Sequence, residues 1–134
     1  MSLFTKIISG EIPSYKIAET EDFFAFLDIN PNAPGHILCV PKQEVDKIFD
    51  LDEDIYTGLM QFSRKVAHAM REVMPCKRVG MSVIGLEVPH VHVHLIPLRD
   101  MEDIRFTSKV SLEETEMLEI AKKISESYNG LSQN

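Results

Sequence analysis

Residues 90–96 read His90-Val91-His92-Val93-His94-Leu95-Ile96, an alternation of imidazole and branched apolar side chains. Successive side chains of a strand point to opposite faces, so the spacing predicts a strand that turns Val91, Val93 and Leu95 toward a core. His90, His92 and His94 then share the other face and line a cleft. The fold must therefore contain a sheet with one face buried behind this strand and a site in front of it.

The remaining elements are built around that strand. Residues 4–9 suggest a short amphipathic helix closed by Gly10, after which Pro13 redirects the chain. Residues 15–19 and 23–29 read as strands joined through the polar turn Thr20-Glu21-Asp22, and a third strand over 36–40 follows the loop Asn30-Pro31-Asn32-Ala33-Pro34-Gly35. From Asp52 to Met74 the apolar residues Ile55, Leu59, Phe62, Val66, Met70 and Val73 recur at helical spacing, with Asp50 and Glu53 as the expected cap and its partner and Pro75 as the stop. Residues 78–84 and 91–96 supply the last two strands. Ser111 with Glu114 marks the start of a second amphipathic helix that carries Met117, Ile120, Ala121, Ile124 and Tyr128 up to Asn129-Gly130. Short connections pair strands antiparallel, and a single sheet must cover its apolar side. The expected class is α+β: a five-stranded antiparallel sheet with one long helix, a short N-terminal helix and a C-terminal helix.

Composition narrows the function. The 134 residues fit one domain over 1–134, and two cysteines, Cys39 and Cys76, without a CxxC, suit reduced thiols. The net charge of −7, with no Lys/Arg cluster, argues against nucleic-acid polymers and anionic membranes as partners. No signal core is visible and no apolar run nears the roughly 20 residues that cross a bilayer, so the expected location is the cytoplasm. His68 falls between Arg64 and Glu72 on the long helix, on a solvated face outside the site.

Two chemistries fit a row of histidines. One is a Zn²⁺ site using two of them with His36 as a third ligand; against it, His90 and His94 start roughly 13 Å apart at a strand rise of about 3.3 Å, too far for a shared metal. The other is anion chemistry, in which imidazoles donate to phosphate oxygens and a neutral ring held at one nitrogen attacks phosphorus with the other. The ligand geometry favours the second and leaves the first open.

The run from His90 to Ile96 has the form His-φ-His-φ-His-φ-φ, φ being apolar, and resembles the signature of the histidine triad (HIT) nucleotide-binding family, in its bacterial HINT-like branch. The stretch Asp28-Ile29-Asn30-Pro31-Asn32-Ala33-Pro34-Gly35-His36-Ile37-Leu38-Cys39-Val40-Pro41-Lys42 is similar to the family's loop and strand ahead of a fourth histidine, and Phe4-Thr5-Lys6-Ile7-Ile8-Ser9-Gly10-Glu11-Ile12-Pro13 to its N-terminal helix. These matches bracket about residues 3–98 and leave a C-terminal helical extension over about 111–129.

The resemblance implies a metal- and cofactor-independent nucleoside phosphoramidase or nucleotide hydrolase. In that scheme His92 attacks the α-phosphorus of a purine nucleotide derivative such as one of AMP or GMP, and water cleaves the nucleotidyl-imidazole. His94 and His36 would donate to phosphate oxygens, His90 would orient the neighbouring backbone and rings, and Asp28 would accept from the ribose hydroxyls. Phe4, Ile7, Ile12 and Ile29 would hold the base. The resemblance also implies a homodimer formed through the long helix and a strand edge. One departure stands out: the run Ile84-Gly85-Leu86-Glu87-Val88-Pro89 is shorter than the family's usual loop before the triad and lacks its amide and hydroxyl donors.

Overall fold

A computed structural model describes residues 1–131. In chain order the elements are α1 (Leu3–Ile8), β1 (Lys16–Glu19), β2 (Phe23–Leu27), β3 (Ile37–Pro41), α2 (Glu53–Val73), β4 (Arg78–Ser82), β5 (Val93–Leu98) and α3 (Glu114–Gly130), with 3-10 turns at Ile48–Asp50 and Met101–Ile104. The strands form one five-stranded sheet in the order β1-β2-β3-β5-β4, and every neighbouring pair is antiparallel. The α+β architecture expected from the sequence is the one observed.

Local chemistry explains the boundaries. At the β1–β2 turn, Thr20 N donates to Phe23 O and Phe23 N to Thr20 Oγ1. Gly35 has φ +95°, a left-handed conformation that a side chain rarely tolerates, and it swings the chain from the proline loop into β3. Helix α2 is capped by Asp52, whose side chain accepts from Ile55 N, and not by Asp50. Asp50 instead lies inside the preceding 3-10 turn, so it cannot adopt the extended cap conformation. The helix ends where Met74 turns extended ahead of Pro75. Helix α3 likewise starts later than the Ser111 signature predicts: its cap is Glu113, whose N–H donates to the side chain of Glu116.

Both faces of the sheet are covered, which is why β2 and β3 are buried at every residue instead of alternating with polar positions. On one face Ala25, Leu27, Ile37, Cys39, Val93 and Leu95 pack against Leu59, Phe62, Val66 and Met70 of α2 and Ile124 of α3. On the other, Phe24, Phe26, Leu38 and Val40 meet Phe4 and Ile7 of α1. Val93 and Leu95 are 0% and 1% exposed, so each contributes about 1.5–3 kcal/mol of burial and holds β5 in the register that turns His94 to the α1 side.

The extent of β5 also departs from the expectation. The pattern predicts a strand over 91–96, yet β5 starts at Val93. His90 and Val91 precede it in a bent segment, where His90 N donates to Val88 O and Val91 N to Val45 O. The backbone there bonds to its own loop and to the segment before α2, so ladder pairing with β3 stops at Val93.

Candidate active site

The register Leu38↔His94 places His36 on the diagonal from His94, on the same face of neighbouring strands. That pairing brings the distant fourth histidine to the row. His36 and His90 are fully buried, while His92 and His94 are 8% and 7% exposed and form part of the wall of a cleft of about 590 Å³. Phe4, Ile7, Ile12 and Leu38 make its apolar side, Asp28 and Ile29 one rim, and residues 84–88 the other. Ile29 is 78% exposed and Leu86 90%, so both stand at the mouth.

Hydrogen bonds fix the proton on each ring. His92 Nδ1 lies 2.8 Å from His90 O, a carbonyl that can only accept, so Nδ1 carries a proton and, in the neutral ring, Nε2 is left with the lone pair. His90 Nε2 donates to Pro41 O at 2.8 Å, and its Nδ1 accepts from Ser2 Oγ at 2.6 Å. His36 Nδ1 accepts the backbone N–H of Asn32 at 3.0 Å, which leaves the proton on Nε2. That proton is donated to His94 Nδ1, also at 3.0 Å. The second nitrogen of His94 therefore carries a proton of its own. One ring of the cluster, His92, thus offers a lone pair toward the cleft, and its neighbour His94, with ring centroids 5.0 Å apart, offers a donor.

Electrostatics keeps His36 and His94 neutral. Burial, reinforced by the neighbouring imidazoles and Lys109, drives the His36 pKa down to about 3 and that of His94 to about 4. Burial lowers His90 too, against the Pro41 carbonyl and Glu44. Asp28 moves the other way: its partial burial raises its pKa although Asn30 N–H donates to it.

The structure brings His92, His94, Asp28, Phe4, Ile7, Ile12 and Ile29 together around the cleft. It sets His36 and His90 behind it. His36 is not positioned to donate to a phosphate directly, because its only ring proton is committed to His94. His90 reaches the site through its carbonyl and by edge contact with Phe4 at 5.7 Å.

The residues missed in the sequence are those that tie this set down. Ser2 caps α1 and holds His90. Asn32 sets the His36 tautomer and donates from Nδ2 to Asp103 O. Phe106 packs edge-on to His94 at 4.9 Å, and Lys109 stands over Phe106. Residues 105–110 carry no periodicity or motif, so nothing in the sequence pointed to them.

Asp28, His36 and His94 also offer ligand atoms within 4.8 Å of one another. The set fits a divalent metal poorly. Ligation through His36 Nε2 would move the proton to Nδ1, directly against the Asn32 N–H that now donates there.

Comparison with known proteins agrees with this architecture. The family model described as HIT domain matches residues 9–101. The adenosine 5'-monophosphoramidase HNT1 of Saccharomyces cerevisiae is 41% identical over 99 residues, 73% of this chain and 63% of the yeast protein, so the match spans less than two thirds of that relative. An uncharacterized HIT-like protein of Borreliella burgdorferi is 31% identical over 132 residues, 92% of this chain and 95% of its own. The crystal structure of a HIT-like protein from Bartonella henselae superposes with a TM-score of 0.83 at 30% identity, covering 94% of this chain and 95% of that one. With the matched segment running through the β-sheet and all four histidines, the chain belongs to the HIT domain family.

Proposed function

We propose that the protein is a nucleotide hydrolase or nucleotidyl transferase that cleaves at the α-phosphate of a purine nucleotide derivative, a phosphoramidate or a dinucleoside polyphosphate, through a nucleotidyl-His92 intermediate. The observation that carries this reading is the Nδ1 bond of His92 to the His90 carbonyl, which makes Nε2 the lone-pair nitrogen of the neutral ring at the cleft wall. The yeast and Candida albicans relatives named adenosine 5'-monophosphoramidase support the substrate class.

In the first step His92 Nε2 forms a bond to phosphorus, and the bond to the leaving group breaks with its electron pair on the departing amine or phosphate. An amine takes its proton from water at the open mouth. His94 donates from Nε2 to a non-bridging oxygen, and His36 backs it by holding Nδ1. Water then adds at phosphorus and gives up one proton to the solvent, the P–N bond breaks with its electron pair returning to His92 Nε2, and a nucleoside monophosphate leaves. Phe4, Ile7, Ile12 and Ile29 would hold the purine and Asp28 the ribose, all five being part of the cleft lining.

The test is turnover of adenosine 5'-phosphoramidate, an AMP–lysine conjugate and diadenosine polyphosphates by wild type and His92→Asn. The substitution should lower kcat by roughly a thousand-fold or more while AMP still binds. Wild-type protein that binds AMP and turns over none of these substrates would refute the reading.

A second reading, a nucleotide-binding scaffold with little turnover, is favoured by the rim residue Leu86, which is 90% exposed and has no donor to give a leaving group. On that reading His92→Asn leaves the biological role intact. We further propose that two copies associate, supported by the sheet edge at β4, which among the described residues pairs only with β5, and that the two free thiols suit a reducing, cytoplasmic setting.

A further inference from the structure

The cleft poses a charge problem for an anionic ligand. Its charged lining residues are the carboxylates Asp28 and Glu87 and one ammonium, Lys109. The chain as a whole stands at −7. His36 and His94 supply hydrogen bonds without charge, since burial holds both far below the range in which an imidazole is cationic near neutral pH. A nucleotide phosphate entering this space meets two carboxylates and the neutral His94 ring unless Lys109 faces it.

Lys109 is held in place for that task. Its Nζ donates to Asn32 Oδ1 at 2.7 Å and lies 4.9 Å from the centroid of Phe106, whose ring packs against His94. The irregular tract around it is fastened by Val110 N donating to Pro31 O at 2.9 Å. Asn32 is anchored in turn by its own Nδ2 on Asp103 O, and Asp103 by the Arg99 guanidinium. One residue, Asn32, thus sets the tautomer of the His36–His94 pair and positions the ammonium beside it. An ammonium has three donors, and Asn32 takes one of them. The tract also lies beyond the segment matched by the family model, which ends at residue 101.

We propose that Lys109 is the charge-bearing phosphate ligand of this cleft, contacting one non-bridging oxygen of the nucleotide while His94 donates to another. Asn32 and Phe106 act as its positioning residues. The assignment rests on the nucleotide reading above and adds to it the residue that discriminates a phosphorylated ligand from a neutral one.

Isothermal titration of AMP and of adenosine into wild type, Lys109→Met and Lys109→Arg tests it, because adenosine shares the base and sugar and lacks the phosphate. Loss of one charge-assisted bond should weaken AMP about ten-fold or more in Lys109→Met, leave adenosine within about two-fold, and be largely restored in Lys109→Arg. Equal weakening of both ligands would mean that Lys109 only shapes the fold, and unchanged AMP affinity would mean that it does not meet the phosphate; either overturns the assignment. Wild type that fails to bind AMP refutes the nucleotide reading itself, and this assignment with it. Wild type that binds AMP beside an unaffected Lys109→Met refutes this assignment alone.

Discussion

Acidification should destabilise this protein well before its carboxylates titrate. His36 and His94 have an ordinary pKa of 6.5 in the unfolded chain and about 3 and about 4 in the folded one. Above pH 6.5 neither state holds these protons and stability is insensitive to them. As pH falls through 6.5 the unfolded chain takes up protons that the folded chain refuses, so stability is lost in the acid direction. Near pH 5 each histidine contributes about 2 kcal/mol to that loss, about 4 kcal/mol for the pair, against a total stability of about 5–15 kcal/mol for a typical domain. His90, also lowered, acts in the same sense. Asp28 acts in the opposite sense, because its raised pKa lets the folded chain take its proton first. Glu19 and Glu44 sit below the ordinary carboxylate value of 4.5, so their contributions disappear at more acid pH than the histidine window. Urea unfolding followed by circular dichroism at pH steps between about 7 and about 5 measures the effect as a slope of stability against pH. The double substitution His36→Gln with His94→Gln should flatten that slope whatever it does to absolute stability. A total change below about 1 kcal/mol over the window would refute the picture of a dry, neutral His36–His94 pair.

Two further outcomes follow from packing. Gly58→Ala inside α2 would ordinarily stabilise a helix by about 1 kcal/mol, but the added Cβ would lie 2.7 Å from Phe23 Cζ, and that ring is stacked on Phe62; a net loss of about 1–3 kcal/mol in thermal unfolding is expected, and a gain would show that Phe23 has room to move. Ser2→Ala removes both the cap of α1 and the donor to His90 Nδ1, so it should lower stability by about 1–3 kcal/mol in urea unfolding. Unchanged stability in that variant would show that the N-terminus does not hold His90.

Much of the fold was legible because its elements announce themselves locally. The apolar stripe from Ile55 to Val73 defines α2 and places its buried face, since Leu59, Phe62, Val66 and Met70 are the residues that reach the sheet. Capping is less legible: two acidic residues two positions apart, Asp50 and Asp52, are equivalent as letters, and only the 3-10 turn over Ile48–Asp50 decides between them. The same holds for the histidines. Alternation correctly turns Val93 and Leu95 inward, yet alternation cannot say where ladder pairing stops, and His90 and His92 fall on the far side of that limit.

What the sequence determined by itself is the chemistry available: His90, His92, His94 and His36 in their motifs, the apolar residues of the first helix, and an antiparallel sheet to hold them. Periodicity and motif spacing are properties of short stretches of chain, so they survive without coordinates. Which nitrogen of each ring carries the proton was decided by tertiary structure alone, because the partners that settle it, Ser2, Asn32, Pro41 and the His90 carbonyl, reach the rings through folding and not through a repeat. Folding also placed Lys109 beside Asp28 and His94, 77 residues from Asn32 in the chain and 2.7 Å from it in space. A tautomer and an ion's position depend on distances of a few ångströms between remote segments, and those distances exist only once the sheet has closed.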